Sequence, residues 1–381
     1  MPGAAELAPG PVAVVAASGG VNHVLAFALA EAGLGLRLGV GLGNSIDVTQ
    51  ADVLDHLVAD DGVRAVALHV ETAAEGRRLT EAVRRLTDRV PAVALVVGRS
   101  DIGDFARSHT GALATSRRVT RAALGQAGAV LVDDERDLVD AVTTLSRVRL
   151  PSNARPGVGL VTAQAGPGLL LTDSLRSHGV AVPAPVERTV KEPRELLPAL
   201  TFLNNPVDTG RPSPALVDVV ERVSEDRGVD VTAVYGLLEP TAVDLPGVLA
   251  AARTSIPLVA VVGGPVEQAR QARRGLGEAG IPCAATPASG SVMVRALVED
   301  AAARDRLRAD HFTVPRHPSF PRDAPRGQHH LRYGRRRRPS WSGRRRSPPA
   351  ALDRRSCPRY RETPRSLRSL VAEAAVFEEV T

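Results

Sequence analysis

Cysteine is nearly missing from this chain: Cys283 and Cys357 are the two in 381 residues. Thiols so far apart argue against a disulfide framework and against a zinc site, and they imply a reducing cytoplasm. Long apolar runs are missing as well. None approaches the ~20 residues a membrane span needs, and no basic-then-apolar leader opens the sequence, so neither a membrane nor secretion is indicated. Lysine occurs once, at Lys191, leaving arginine to supply the positive charge. That bias fits GC-rich coding DNA and identifies no activity. What is present is an ordinary globular composition, 44% apolar and 24% charged, in a chain long enough for two or three domains.

The formal charge of +6 hides a division. Residues 311–370 hold 17 arginines against three acids, so the rest carries 31 basic and 39 acidic residues, a net of −8. A mildly acidic body is joined to a strongly basic tail. With "YGRRRRPSWSGRRRSPP" at its centre, the tail has no periodicity and too little apolar content to pack, and 311–381 is expected to be disordered. Such a segment can touch nucleic-acid phosphates, but the aromatics that stack on bases are sparse, which makes nucleic acid an unlikely partner. A reading-frame shift in GC-rich DNA would produce the same sudden enrichment in Arg, Pro and Ser.

Short continuous apolar runs alternate with amphipathic stretches. "VAVVAAS" (12–18), "LRLGVGLG" (36–43), "AVALHVE" (65–71), "AVALVVG" (92–98) and "AVLVDD" (129–134) are expected strands, buried on both faces because they do not alternate. Helices are expected at 20–33, 50–60, 75–88 and 112–127. The pattern then restarts. Strands are expected at 157–164, 180–185, 231–238, 257–264 and 282–287, with helices at 168–178, 193–200, 213–226, 244–254, 265–279 and 289–309. This alternation predicts parallel sheets covered by helices on both faces. Two similar α/β domains follow, at 11–150 and 155–309, joined by the Pro- and Gly-containing "RVRLPSNARPG" (147–157).

Three glycine-containing turns open helices after strands: "ASGGVNH" (17–23), "SHTGALA" (108–114) and "AQAGPGLL" (163–170). A helix start offers unpaired N–H groups and the positive end of a dipole, and small residues let an anion approach the backbone. None is a P-loop or a GxGxxG, and each taken singly reads first as a tight turn that merely lets the helix pack on its sheet. His109, just before Thr110 and Gly111, is either a solvated or capping loop residue or a nucleophile whose phosphorylated form rests on helix starts. Such a nucleophile needs a carboxylate to orient its far nitrogen. Glu71, at the end of an apolar strand, is either that partner or a side chain reaching solvent. Asp47 suits the cap of the helix after it, and "NNPVDT" (204–209) is read as a structural turn. His23, His56, His69 and His178 lack metal-ligand spacing and are read as surface or packing residues.

Taken in order, "SGG…GLGNSIDVTQADVLDHLVADDGVRAVALHVE…GRS…SHTGALA…QAGAV" and then "GVGLVTAQAGPGLLLTDSL", "NNPVD" and "AGIPCAATP" resemble the NDP-forming acyl-CoA synthetases. That family includes ADP-forming acetyl-CoA synthetase and is related to succinyl-CoA synthetase. The resemblance covers about residues 11–300. It implies two flavodoxin-like, three-layer domains with parallel sheets, the ligase halves of the α portion. It implies that His109 is transiently phosphorylated and steadied by Glu71. It also implies that helix starts near Ser18, Gly19 and Gly20 and near Gly166, Pro167 and Gly168 face the phosphate, with Thr110 and Gly111 beside it.

The reaction so implied converts acyl-CoA, phosphate and NDP into acid, CoA and NTP, in either direction. No cofactor is expected to be tightly bound. CoA, phosphate and ADP or ATP with Mg are substrates handled through other domains or partner chains, namely a CoA-binding domain and an ATP-grasp, β-type partner. Arg99 and Ser100 are placed near the histidine loop, where they could help hold phosphate. The departures are plain. Only about ten residues precede "GPVAVV", and the arginine-rich tail stands where an ATP-grasp domain or its linker would lie. Val96 occupies a place where many members carry Lys, and Thr115 replaces a Gly. A non-catalytic remnant or scaffold that docks to a synthetase partner is the competing expectation.

Overall fold

The computed structural model describes residues 7–73, 75–100, 116–197, 201–239 and 243–309. His109, Thr110 and Gly111, together with Thr115 and the basic tail, lie outside the described residues.

The first half runs β1 (Pro9–Ala16), α1 (Gly19–Glu31), β2 (Leu36–Gly41), α2 (Gln50–Val58), β3 (Ala65–Val70), α3 (Gly76–Arg89), β4 (Ala92–Val96), α4 (Arg117–Gln126), β5 (Val130–Val132) and α5 (Glu135–Arg147). Its sheet is wholly parallel, in the order β2-β1-β3-β4-β5. The second half runs β6 (Val158–Thr162), α6 (Ala165–Ser177), α7 (Glu187–Leu196), β7 (Val207–Asp208), α8 (Ala215–Ser224), β8 (Val231–Leu237), α9 (Leu245–Ala251), β9 (Leu258–Gly263), α10 (Val266–Glu278), β10 (Cys283–Ala284) and α11 (Pro287–Ala309). Read from its β7 edge, this sheet is β7-β6-β8-β9-β10, also parallel. The two halves therefore repeat one flavodoxin-like, doubly wound topology.

The central strands are apolar throughout because helices cover both faces. β3 is buried at every position, its even-numbered side chains facing one cluster and Ala65 and Ala67 the other. The cluster on the α1 and α5 side does not stop at the first half. It runs from Val12 and Leu138 through Leu171 and Val261 to Leu297, so the helix layers of both halves bury their apolar stripes against each other. At ~25 cal/mol per Å² of apolar surface, this shared layer is the main adhesion between the halves. Met1–His311 accordingly forms one compact unit.

A charged clamp reinforces the junction. After α5, Arg149 donates to both oxygens of Asp300 on α11 (3.0 and 2.8 Å) and to the carbonyls of Arg89 and Thr87 at the end of α3. Arg304 approaches the same carboxylate from one turn along α11. Asp300 is 1% exposed, and two guanidinium groups pair with it.

Four expectations need correction. The apolar "VAVPAP" at 180–185 makes no strand. Ala181 forms a single bridge to Gly157, and Val207–Asp208 takes the edge position instead. Pro183 and Pro185 lack the N–H a ladder needs, which explains the loss. α5 was not expected, yet it is well formed, with Asp134 capping it by accepting from Asp137 N at 2.8 Å. α7 starts at Glu187, six residues ahead of the expected helix. Finally, Asp47 does not cap α2. Thr49 does, and Asp52 answers it by accepting from Thr49 N at 2.9 Å, a capping box.

Candidate functional site

In an open parallel sheet of this order, ligands bind outside the carboxyl ends of the strands, where the chain winds in opposite directions from two neighbours. Here those points lie between β1 and β3 and between β6 and β8.

At the first corner, β1 ends at Ala16 and Ser18 caps α1, its Oγ accepting from Val21 N at 3.5 Å. Register sets Ala16 opposite His69, and Ala17 N donates to His69 O at 3.3 Å. Ser18 and Glu71 therefore leave adjacent strands at neighbouring levels. Gly19 and Gly20 are exposed, and Gly19 has open space where a Cβ would be. β2 returns tightly beside them. A Cβ on Gly41 would stand 2.8 Å from Gly19 Cα, so glycine at 41 is a requirement of the corner. The turn after β2 is tied down by Leu42 N and Gly43 N, which donate to Ala16 O and Ala17 O. Gln50, at the start of α2, donates from Nε2 to His69 O at 2.8 Å. Most nearby backbone is thus committed, and the first turn of α1 stays open.

The second corner repeats the plan with different side chains. Ala163 N donates to Tyr235 O across β6 and β8, and Gln164 stands at the cap of α6. Gln164 does not cap the helix with its side chain. Instead its Oε1 accepts from Leu237 N and its Nε2 donates to Glu239 Oε1, both at 3.2 Å. Glu239 follows β8 as Glu71 follows β3, so each switch point carries one carboxylate beside one helix start. Neither Gln164 nor Glu239 was singled out in the sequence, because an amide and an acid after apolar strands carry no local signal. Aligning the two halves by topology would have found them. Gly166 is exposed and open. Gly168 is buried, and a Cβ there would lie 2.6 Å from Thr162 Cγ2, so this glycine lets α6 pack on β6.

The remaining candidates separate cleanly. Arg99 lies 3.9 Å from Asp133, which also pairs with Arg117 and Arg121 at the β4–β5 edge. His56 and His178 are exposed and His23 is half-buried. His69 is a packing residue, 4% exposed, and burial lowers its pKa to about 4, so the ring is neutral. "NNPVDT" is structural: Asn205 is buried, donates to Val158 O and Pro183 O, and accepts from Leu160 N. Among the described residues no cluster of His, Cys, Asp and Glu could hold a metal ion, and no helix is long and apolar enough to cross a membrane.

Residues 9–145 match the succinyl-CoA ligase like flavodoxin domain. Over about half its length the chain is similar to curated ADP-forming acetate–CoA ligases. It is 32% identical over 200 residues to the α subunit of ADP-forming acetate–CoA ligase II of Pyrococcus furiosus, covering 52% of this chain and 43% of that one. It is 30% identical over 213 residues to ADP-forming acetate–CoA ligase I of Archaeoglobus fulgidus, covering 55% of this chain and 30% of that one. The chain thus spans less than half the length of these relatives. Its fold is that of an acetyl-coenzyme A synthetase of Candidatus Korarchaeum cryptofilum, solved with phosphate and ADP. The TM-score is 0.73 at 23% identity, over 81% of this chain and 68% of that one.

Proposed function

We propose that this chain is the α-type phosphoryl-relay module of an ADP-forming acyl-CoA synthetase, with His109 as the group that carries the phosphoryl. The observation that supports this most is the repeated corner: an open helix start and a carboxylate at the switch point of each half. Negative charge is stabilised by the unpaired N–H groups and dipole of a helix start, and an imidazolium by a carboxylate. A phosphorylated imidazole needs both.

In this reading, phosphate displaces CoA from the acyl group, giving an acyl phosphate. A neutral imidazole nitrogen of His109 then attacks phosphorus. The bond between phosphorus and the acyl oxygen breaks, and the acid leaves as its carboxylate. Glu71 accepts a hydrogen bond from the other ring nitrogen and offsets the charge that develops there. The first turn of α1, through Ser18, Gly19 and Gly20, and that of α6, through Gly166, receive the phosphoryl oxygens. Gly168 contributes by holding α6 close to its sheet, and Thr110 and Gly111, next to His109 in sequence, help bind the phosphate. The phosphoryl then passes to ADP, with Mg, at an ATP-grasp partner, while CoA is held by a further domain or subunit. The acid is a small carboxylic acid, and the site needs no tightly bound cofactor.

The test is to incubate the chain with a nucleotide-binding partner and γ-labelled ATP. The expected outcome is acid-labile, base-stable label on this chain, absent in His109→Ala. Persistent absence of label beside an active partner would instead make the chain a docking scaffold.

A further inference from the structure

β5 is an edge strand of three residues, and its ladder with β4 ends at the pair of Leu95 and Val132. The two strands lead to different places. β4 runs on toward residues 101–115, which carry His109, and the described chain resumes at Ser116. β5 passes through Asp133 directly to the cap of α5. Three backbone pairs hold an edge weakly, and the level just beyond them is where the His109 segment departs.

That level is held by side chains. Val97 N donates to Val70 O of β3 at 3.0 Å, so Val96 O, which alternates with it, points to the β5 side. There it accepts from Arg117 Nε at 3.0 Å, while Arg117 Nη2 donates to Asp133 Oδ1 at 2.5 Å. One guanidinium thus spans from the end of β4 to the end of β5, in the place of the next backbone rung. Arg117 is also the first residue of α4, so it joins both strand ends to the helix on which the chain returns. The backbone agrees. Gly98 has a φ of 98°, and a Cβ on it would stand 3.8 Å from Arg117 Cβ, so the departing and returning chains meet within one side-chain width. Arg121, one turn along α4, donates to Val132 O at 2.8 Å and lies 3.2 Å from Asp133, and Arg99 lies 3.9 Å from the same carboxylate. These two address the β5 end, whereas Arg117 bridges it to β4.

We propose that Arg117, fixed by Asp133, is a positioning residue for the phosphoryl transfer: it ties the point where the His109 segment leaves β4 to the point where the chain returns at α4. This rests on His109 being the phosphoryl carrier. Arg117 itself touches no reacting atom. The β4–β5 edge belongs to the same sheet as the first corner, so a fixed exit point keeps the segment in register with Ser18 and Glu71. Register matters because a displacement of about 1 Å can cost about 10²-fold in rate. Exposed ion pairs add little to global stability, so the effect of this one belongs on the reaction.

Single-turnover labelling of the full chain with acetyl phosphate tests it. Destabilisation lowers the fraction of chain that takes label, whereas misplacement lowers the rate constant at saturating acetyl phosphate. Asp133→Asn removes the charge, and Arg117→Lys replaces a planar fork with a point charge that cannot hold both ends. Each should slow labelling of His109 about tenfold, with the half-saturating concentration and the final stoichiometry unchanged. Arg121→Gln, which leaves the bridge from Val96 to Asp133 in place, should stay within about threefold of wild type. Wild-type rates in Asp133→Asn and Arg117→Lys, an equal loss in Arg121→Gln, or a loss carried by stoichiometry overturns the proposal. A wild-type chain that takes no label means instead that the phosphoryl reading fails. Amide hydrogen exchange of peptides covering 92–98 and 128–134 then decides alone: exchange raised several-fold in Arg117→Lys supports the bridge, and unchanged exchange overturns it.

Discussion

His69 is buried and Asp140 half-buried, and their effects on stability run in opposite directions. Burial lowers His69 to about 4 from 6.5, so its contribution is complete above pH 6.5 and is lost as the pH falls toward 4. About 2 kcal/mol of that loss falls between pH 7.5 and pH 5. Asp140 behaves conversely, which masks the histidine in the wild-type profile. His69→Leu is therefore expected to remove about 2 kcal/mol of acid destabilisation, read as the change in urea midpoint between the two pH values. An unchanged difference would mean that the ring is already charged or solvated in the fold. Nothing in "AVALHVE" distinguishes this histidine from a surface one beyond its place in an apolar run. Its burial follows from a sheet covered on both faces, which is a property of the assembled halves.

At the scale of single elements, the two glycines of the second corner make separable demands. Gly168→Ala would drive a Cβ to 2.6 Å from Thr162 Cγ2, so α6 must lift from β6. A loss of about 1–3 kcal/mol in urea denaturation is expected for such overpacking. Gly166→Ala meets open space and should leave the midpoint within about 0.5 kcal/mol, while crowding any anion that approaches the helix start. Equal stability effects at both positions would remove this distinction. The contrast also shows what was readable. Both glycines announce a tight strand-to-helix turn, but which of them touches a neighbour depends on the approach of α6 to β6. β1, β3, β4, β6, β8 and β9 were legible as apolar runs, and the switch points followed from their order. β7 is two residues long, too short for any period. α5 was hidden by β-branched Thr143 and Thr144 and by the acidic stretch that runs into it from β5.

The two halves are held together by a shared apolar layer and by the Asp300 clamp, neither of which repeats within one half. Asp300→Ala would strand Arg149 and Arg304 beside a buried void, at a cost of about 3–5 kcal/mol in urea denaturation. A cost under about 1 kcal/mol would show that solvent already screens the pair. Long-range contacts of this kind were not legible in sequence, since Arg149 and Asp300 stand 151 residues apart. The two-domain organisation was legible, because the strand–helix pattern visibly restarts after "RVRLPSNARPG". The central claim, that this two-cornered unit relays a phosphoryl group, meets its most direct test in mass-spectrometric mapping after incubation with an acyl phosphate, with the digest kept alkaline. One phosphoryl group on the peptide that contains His109 is the expected result, lost in His109→Ala and reduced at least about tenfold in Glu71→Gln, the effect of removing a charged hydrogen-bond partner. An unmodified His109 peptide, or a phosphoryl group held elsewhere on the chain, would contradict it.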